Sequence, residues 1–245
     1  MTAQLRDVWG FGPSSVYACG SGGTVLRYDG VKWAPISTSI TKLLNAVWGT
    51  SPTNLYVAGT GGTLARYSGS SWTVENSNTT ASLYGIWGSG PKDVHVVGAS
   101  GTALRNTGSG WTKLSAAGSL FAVWGTSATN AYAVTSVVAG SNWLRFNGST
   151  WTPQSKITGG SLFSIWGTSP SNIYVGGQYG AAARYNGKKW LDISPGHGAS
   201  FWDLHVSGPT AAFYAGDRGG ALLRHHGAAW GSLHGSLHGG ALHAV

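Results

Sequence analysis

Charge is scarce in this chain: Asp, Glu, Lys and Arg together make only 9% of 245 residues. Glu75 is the sole glutamate, and the remaining acids (Asp7, Asp29, Asp93, Asp192, Asp203 and Asp217) are scattered. That scarcity excludes a charge-rich disordered chain, paired catalytic carboxylates and a dedicated Ca²⁺ cage. Cys19 is alone, so no internal disulfide can form. No apolar run approaches the roughly 18 residues of a membrane helix, so no membrane span is expected. The opening MTAQLRDVWG has neither a basic n-region nor an apolar h-region, so no signal peptide is expected in this chain. Ser-His-Asp, Walker and Rossmann spacings are missing, which leads us to expect no enzyme and no cofactor. A sustained 3.6-residue period is also missing, so no helices are expected.

What the chain has instead is 40 Gly, 13 Trp and a repeat. A Trp-Gly pair recurs at Trp9, Trp48, Trp87, Trp124 and Trp166, and His205 takes the sixth place. These positions lie 39, 39, 37, 42 and 39 residues apart. A second Trp follows each, at Trp33, Trp72, Trp111, Trp151, Trp190 and Trp230. Each copy divides into four β-prone segments. The first is of Leu-x-Ala-Val-Trp-Gly type, followed by a turn such as Ser51-Pro52-Thr53-Asn54. The second carries Tyr17, Tyr56, His95, Tyr132, Tyr174 and Tyr214. The third is of Thr-Leu-Ala-Arg-Tyr type, and a tight Asp-Gly or Asn-Gly turn leads into the fourth, around the second Trp. Four strands per copy of about 39 residues predict an all-β fold, a six-bladed β-propeller of four-stranded antiparallel blades. Approximate blades are 4–39, 40–78, 79–115, 116–157, 158–196 and 197–235, in one domain over 1–245. Residues 236–245 are read as a partial extra strand. Its Leu242-His243-Ala244-Val245 restates the repeat's opening, and we expect the six blades to close without it.

The formal net charge of +8 raises nucleic acid as a partner. However, six of the eight arginines (Arg27, Arg66, Arg105, Arg145, Arg184 and Arg224) occupy one repeat position, six residues before the second Trp in every copy. Constant spacing points to a structural unit, with the guanidinium on a Tyr or Trp face or donating to loop carbonyls. The second Trp is expected to pack within its blade or on the next. Nucleic-acid binding is therefore not expected.

The run GGTVLRYDGVKW, Gly22 to Trp33, resembles a degenerate Asp-box of the sialidase-like repeat. The wider Val-Trp-Gly, Tyr-Val-Ala-Gly, Leu-Arg-Tyr-Asp-Gly, Trp pattern, from Leu5 to Trp230, is similar to bacterial tandem-repeat β-propellers and, in aromatic richness, to tachylectin-type propeller lectins. The resemblance implies an extracellular or cell-surface protein. Sialidase catalysis is not implied, because it needs a Tyr-Glu pair amid clustered arginines.

Sites are sought where the copies differ, since loops on a rigid scaffold carry function. Blade 4 holds a three-residue insertion, Trp124 to Arg145 spanning 21 residues against 18 in its neighbours. It brings Asn142 and Trp143, a stacking platform or a filler of a packing gap. The residue after the first-strand opener also varies: Arg6, Asn45, Tyr84, Phe121, Phe163 and Trp202. If the first strand is innermost, its aromatics either plug the axis or line a ligand pocket. The candidate ligand-binding set is thus Trp143, Asn142, Tyr84, Phe121, Phe163 and Trp202. Seven of the eight histidines fall in the last 49 residues, but a Gly-Ser-Leu-His repeat preforms no ligand shell, so no metal site is expected. The leading expectation is a monomeric, non-enzymatic carbohydrate-binding propeller, because sugar faces stack on aromatic rings. The alternative is a protein-interaction or scaffold propeller.

Overall fold

The computed structural model describes residues 3–138, 140–196, 198–208, 210–216, 222–227 and 229–233. The chain divides into two compact units, Met1–Ala116 and Ala117–Val245. Among the described residues each unit holds three four-stranded antiparallel sheets, and each sheet runs first to fourth strand in chain order. The first strands are Leu5–Gly12, Leu44–Ser51 and Leu83–Gly90 in the first unit. In the second they are Leu120–Ser127, Leu162–Ser169 and Phe201–Gly208. Regular helix among the described residues is confined to single 3₁₀ turns at Ser21–Gly23, Thr60–Gly62 and Gln178–Gly180. Among the described residues no helix is long and apolar enough to cross a membrane.

Within each unit, first strands of successive blades lie against one another, which makes them the inner strands. The Trp-Gly pair explains this seam. A Cβ on Gly88 of blade 3 would stand 2.6 Å from the Trp48 ring of blade 2. On Gly167 of blade 5 it would stand 2.7 Å from the Trp124 ring of blade 4. Glycine is therefore the floor on which the preceding Trp lies, and Trp48 and Trp124 are only 5% and 6% exposed. The seams between blades also carry hydrogen bonds. Val47 N donates to Asp7 Oδ2 at 2.7 Å, and Asn45 Nδ2 donates to the Leu83 carbonyl at 2.8 Å.

In blades 1, 2 and 5 the repeat Arg lies over the second-strand Tyr. Its Cζ lies 6.0 Å from the Tyr17 ring centre for Arg27, 5.8 Å from Tyr56 for Arg66 and 5.5 Å from Tyr174 for Arg184. Its Nε, however, donates to the turn side chain rather than to a loop carbonyl. Arg66 bonds Asn54 Oδ1 at 2.7 Å, Arg105 bonds Asp93 Oδ1 at 2.7 Å, Arg145 bonds Asn130 at 3.1 Å and Arg184 bonds Asn172 at 3.0 Å. The turn residue reaches back in turn. Asn54, Asn130 and Asn172 each donate to a first-strand Thr at 2.8 Å, and Ser89 donates to Asp93 at 2.6 Å. The result is a clasp across strands one, two and three. Blade 1 has Ser15 and blade 6 has Ala211 at the turn position, and no such bond forms there. In blade 6, Phe213 rather than Tyr214 pairs with His205 and receives Arg224, at 5.7 Å. Tyr214 belongs to the opposite face, buried against Phe201 and Trp230.

The second Trp packs on its own blade through Tyr28–Trp33, Tyr67–Trp72, Phe146–Trp151 and Tyr185–Trp190, with ring centres 5.0–5.4 Å apart. Where a blade precedes it in the unit, it also packs backward. Trp111 meets Tyr56 edge-on and donates Nε1 to Glu75, while Trp230 Nε1 donates to the Ile193 carbonyl at 2.7 Å. Trp33 departs from the expected burial, being 47% exposed. The Asp-box-like position works as an Asx turn: Asp29, Asn147 and Asn186 each accept from two backbone N–H groups downstream. Those bonds, from Lys32 and Val31, hold the Asp29 carboxyl below its ordinary range.

Candidate functional site

The variable first-strand residue occupies a β-bulge in all six blades. In each ladder pairing is regular up to the opener, skips one residue and resumes: Leu5 then Asp7, Leu44 then Ala46, Leu83 then Gly85, Leu120 then Ala122, Leu162 then Ser164, Phe201 then Asp203. The skipped residues are Arg6, Asn45, Tyr84, Phe121, Phe163 and Trp202. A bulge leaves its extra residue out of the ladder and re-aims the side chain, a device enriched beside binding sites.

In the second unit the three bulge residues meet. Phe121 and Phe163 contact edge to face with ring centres 5.4 Å apart. Phe163 and Trp202 stack at 4.7 Å and 11°. Trp202 is 37% exposed, and both Phe rings are half-buried. The three blades thus present one continuous aromatic platform. Tyr179 stands at the same end of blade 5, in the turn next to Gly177, the ladder partner of Leu162. It is 73% exposed and holds a left-handed φ of 58°, where blades 1 and 2 place Gly22 and Gly61. A β-carbon in that region is strained, and such strain collects at functional sites. In the first unit the bulge residues are Arg6, Asn45 and Tyr84. Asn45 is committed to Leu83, and the Arg6 Nε is buried without a hydrogen bond.

The blade 4 insertion is not the enlarged loop the spacing suggests. The second strand runs on to Val138 and the third starts at Ser141, so the added residues lengthen a hairpin. Asn142 is fully buried. Its Nδ2 lies within hydrogen-bond reach of the Thr158 carbonyl and hydroxyl and donates to the Gly160 carbonyl at 2.9 Å, while Oδ1 accepts from Ile157 N. It brackets the linker into blade 5, with its amide fully engaged. Trp143 lies between Tyr132 and Trp190, with ring centres 6.1 and 5.6 Å away, and donates to the Ser155 carbonyl. Both residues are thus held by contacts inside the second unit, and no ring contact joins either to Phe121, Phe163 or Trp202 among the described pairs.

Histidine does not converge. His197, His234, His238 and His243 lie outside the described residues, as do Asp217 and the Leu242–Val245 stretch. Among the described residues no three His, Cys, Asp or Glu come together in a metal-holding group. His95 stands in the Tyr place of blade 3, 1% exposed, with Nε2 3.5 Å from Asp93 Oδ1. Burial pulls its pKa down to about 4, with Arg105 adding to that and Asp93 opposing it. A groove of about 560 Å³ lies in blade 2, formed by 39–42, 61–64 and 74–77, and contains none of the candidate residues.

No family model and no curated protein matches this chain. Solved structures do. A structure titled YCF48 bound to D1 peptide is 21% identical, covers 94% of this chain and 81% of its own, and has a TM-score of 0.74. YCF48 from Cyanidioschyzon merolae is 18% identical, with coverages of 94% and 84% and a TM-score of 0.71. The WD40 repeats of RRP9 are 9% identical, with coverages of 96% and 81% and a TM-score of 0.75. The sialidase-like and tachylectin-like resemblance has no counterpart among these three. With its six four-stranded antiparallel sheets, this chain has the fold of a six-bladed, tandem-repeat β-propeller.

Proposed function

We propose that this propeller is a non-enzymatic protein-interaction module that receives an extended peptide on the aromatic platform of its second unit. The observation that carries the reading is the contact of three bulge residues, Phe121, Phe163 and Trp202, from three successive blades. Bulges free these rings from the ladder, and the rings supply apolar area at low conformational cost. A structurally similar propeller bound to a peptide supports the same class of ligand.

The platform suits a peptide side chain better than a sugar. A pyranose stacks on an open ring face, but Phe163 and Trp202 spend one face of each on the other. The amide of Asn142, the polar neighbour expected for a sugar, is engaged in the linker bracket. Trp202 and Tyr179 frame the platform as exposed aromatics, the residue types enriched in protein interfaces.

The test sets a random-peptide array beside a glycan array, using one folded sample and its Phe163→Ala variant. The expected result is peptide capture, weakened at least about tenfold in the variant. Glycan capture with a blank peptide array would overturn the reading in favour of a lectin.

A further inference from the structure

The Phe163–Trp202 stack joins blade 5 to blade 6, and two further ring contacts of blade 6 on blade 5 run through histidine. His205 stands where blade 5 has Trp166, and the two rings lie 5.3 Å apart at 38°. His225 follows the repeat Arg, where blade 5 has Tyr185, and meets Tyr174 edge-on with ring centres 6.2 Å apart. It also meets Trp230 at 5.0 Å. His225 is 2% exposed, and its Nδ1 is buried without a hydrogen-bond partner. Each histidine thus packs as an aromatic ring, a task suited to the neutral form. The surroundings oppose a proton. Arg184 already holds its guanidinium carbon 5.5 Å from the centre of the same Tyr174 ring. Burial pulls the His225 pKa below its ordinary 6.5, and Arg184 and His226 add to that. Tyr174 and Tyr214, the titratable rings of this seam, are pushed above their ordinary 10 by burial and stay neutral. His205 faces Trp166 and, across its ladder, Phe213, whose ring carries the Arg224 guanidinium at 5.7 Å. Partial burial lowers the His205 pKa as well. None of these neighbours is a carboxylate that would welcome the charge.

We propose that the platform is acid-gated: a proton on His225, aided by one on His205, loosens blade 6 from blade 5, parts Trp202 from Phe163 and releases the bound peptide. The gate rests on the peptide reading above for its ligand, whereas the loosening of the seam does not. The closed seam excludes a proton that the opened seam binds, so it holds fully above pH 6.5 and weakens progressively below. A charge left buried without a partner is the physical cause.

Amide hydrogen exchange and peptide capture, each followed from about pH 7.5 to about pH 5, test it. Protection in Phe201–Gly208, corrected for the intrinsic effect of pH on exchange, should fall about fivefold or more. Capture of an array-selected peptide should fall over the same range. His225→Tyr, which supplies the residue blade 5 has there, should remove most of both losses. The ring resonance of His225 in the unaltered protein reports its titration without any variant. Full protection at about pH 5, an equal loss in His225→Tyr, or a His225 that titrates at or above 6.5 would overturn the inference. Acid loosening without capture of any peptide would uphold the seam and sink the peptide reading alone. Capture that survives the loosening would sink the gate.

Discussion

Blades 1 and 2 have nearly the same sequence pattern and are held together differently. In blade 2, Thr50, Asn54, Arg66 and Tyr56 form one clasp joining three strands. Blade 1 has Phe11 and Ser15 in the places of Thr50 and Asn54, and its Arg27 keeps only the stacking on Tyr17. Phe11 instead meets Trp9 and Tyr17 edge-on, so a polar tie has been exchanged for aromatic packing. The lesson is that a repeated residue has a repeated role only where its partner is repeated with it.

The largest effect should come from breaking the clasp at its centre. Asn54→Ala strands both Arg66 Nε and the Thr50 hydroxyl and should cost about 2 kcal/mol in denaturant unfolding. Arg66→Ala should cost about 1–2 kcal/mol, while Arg27→Ala stays within about 0.5 kcal/mol. Equal losses for the two arginines would break the comparison, returning the role to the stacking that both share.

Blade 3 sharpens it with charge. Asp93 replaces the turn Asn and pairs with Arg105 beside buried His95. Because the His95 pKa falls from 6.5 to about 4 on folding, the unfolded chain binds the proton first as pH drops. The stability held above pH 6.5 is therefore lost progressively down to about pH 4. His95→Tyr, which restores the residue of blade 2, should flatten this part of the melting-versus-pH curve. An unchanged slope would assign the acid sensitivity elsewhere.

The smallest effect on stability concerns Tyr179, which takes the left-handed place of Gly61 in blade 2. Tyr179→Gly removes strain and should change stability by less than about 1 kcal/mol, in the stabilising direction, while weakening peptide capture. A destabilised variant with full capture would make Tyr179 a packing residue.

The fold was legible because its signals are local and redundant: Trp spacing, hairpin turns and a fixed Arg-to-Trp interval. The clasp was legible in part. Asn54 and Arg66, Asp93 and Arg105, and Asn172 and Arg184 are each 12 apart, an interval as regular as the one that exposed the Arg position. Phe213 was also readable, since it follows His205 by the eight residues that separate Trp48 from Tyr56. The bulges were not, because a skipped ladder partner leaves no compositional mark; only variability at that position hinted at them. The blade 4 insertion was misread as an open loop because length alone does not show that it extends a hairpin, and nothing in the sequence shows that the Asn142 side chain bonds the following linker.

The account's central claim is that repeated positions hold the propeller while the bulge positions of the second unit bind. Measuring peptide affinity and melting temperature on Arg66→Ala and Phe163→Ala in parallel tests it most directly. The account predicts a double separation. Arg66→Ala melts lower, by about 2–4 °C per kcal/mol lost, with affinity unchanged, and Phe163→Ala loses affinity at least about tenfold with a smaller change in melting. Unchanged affinity in Phe163→Ala, or lost affinity in a folded Arg66→Ala, would contradict it.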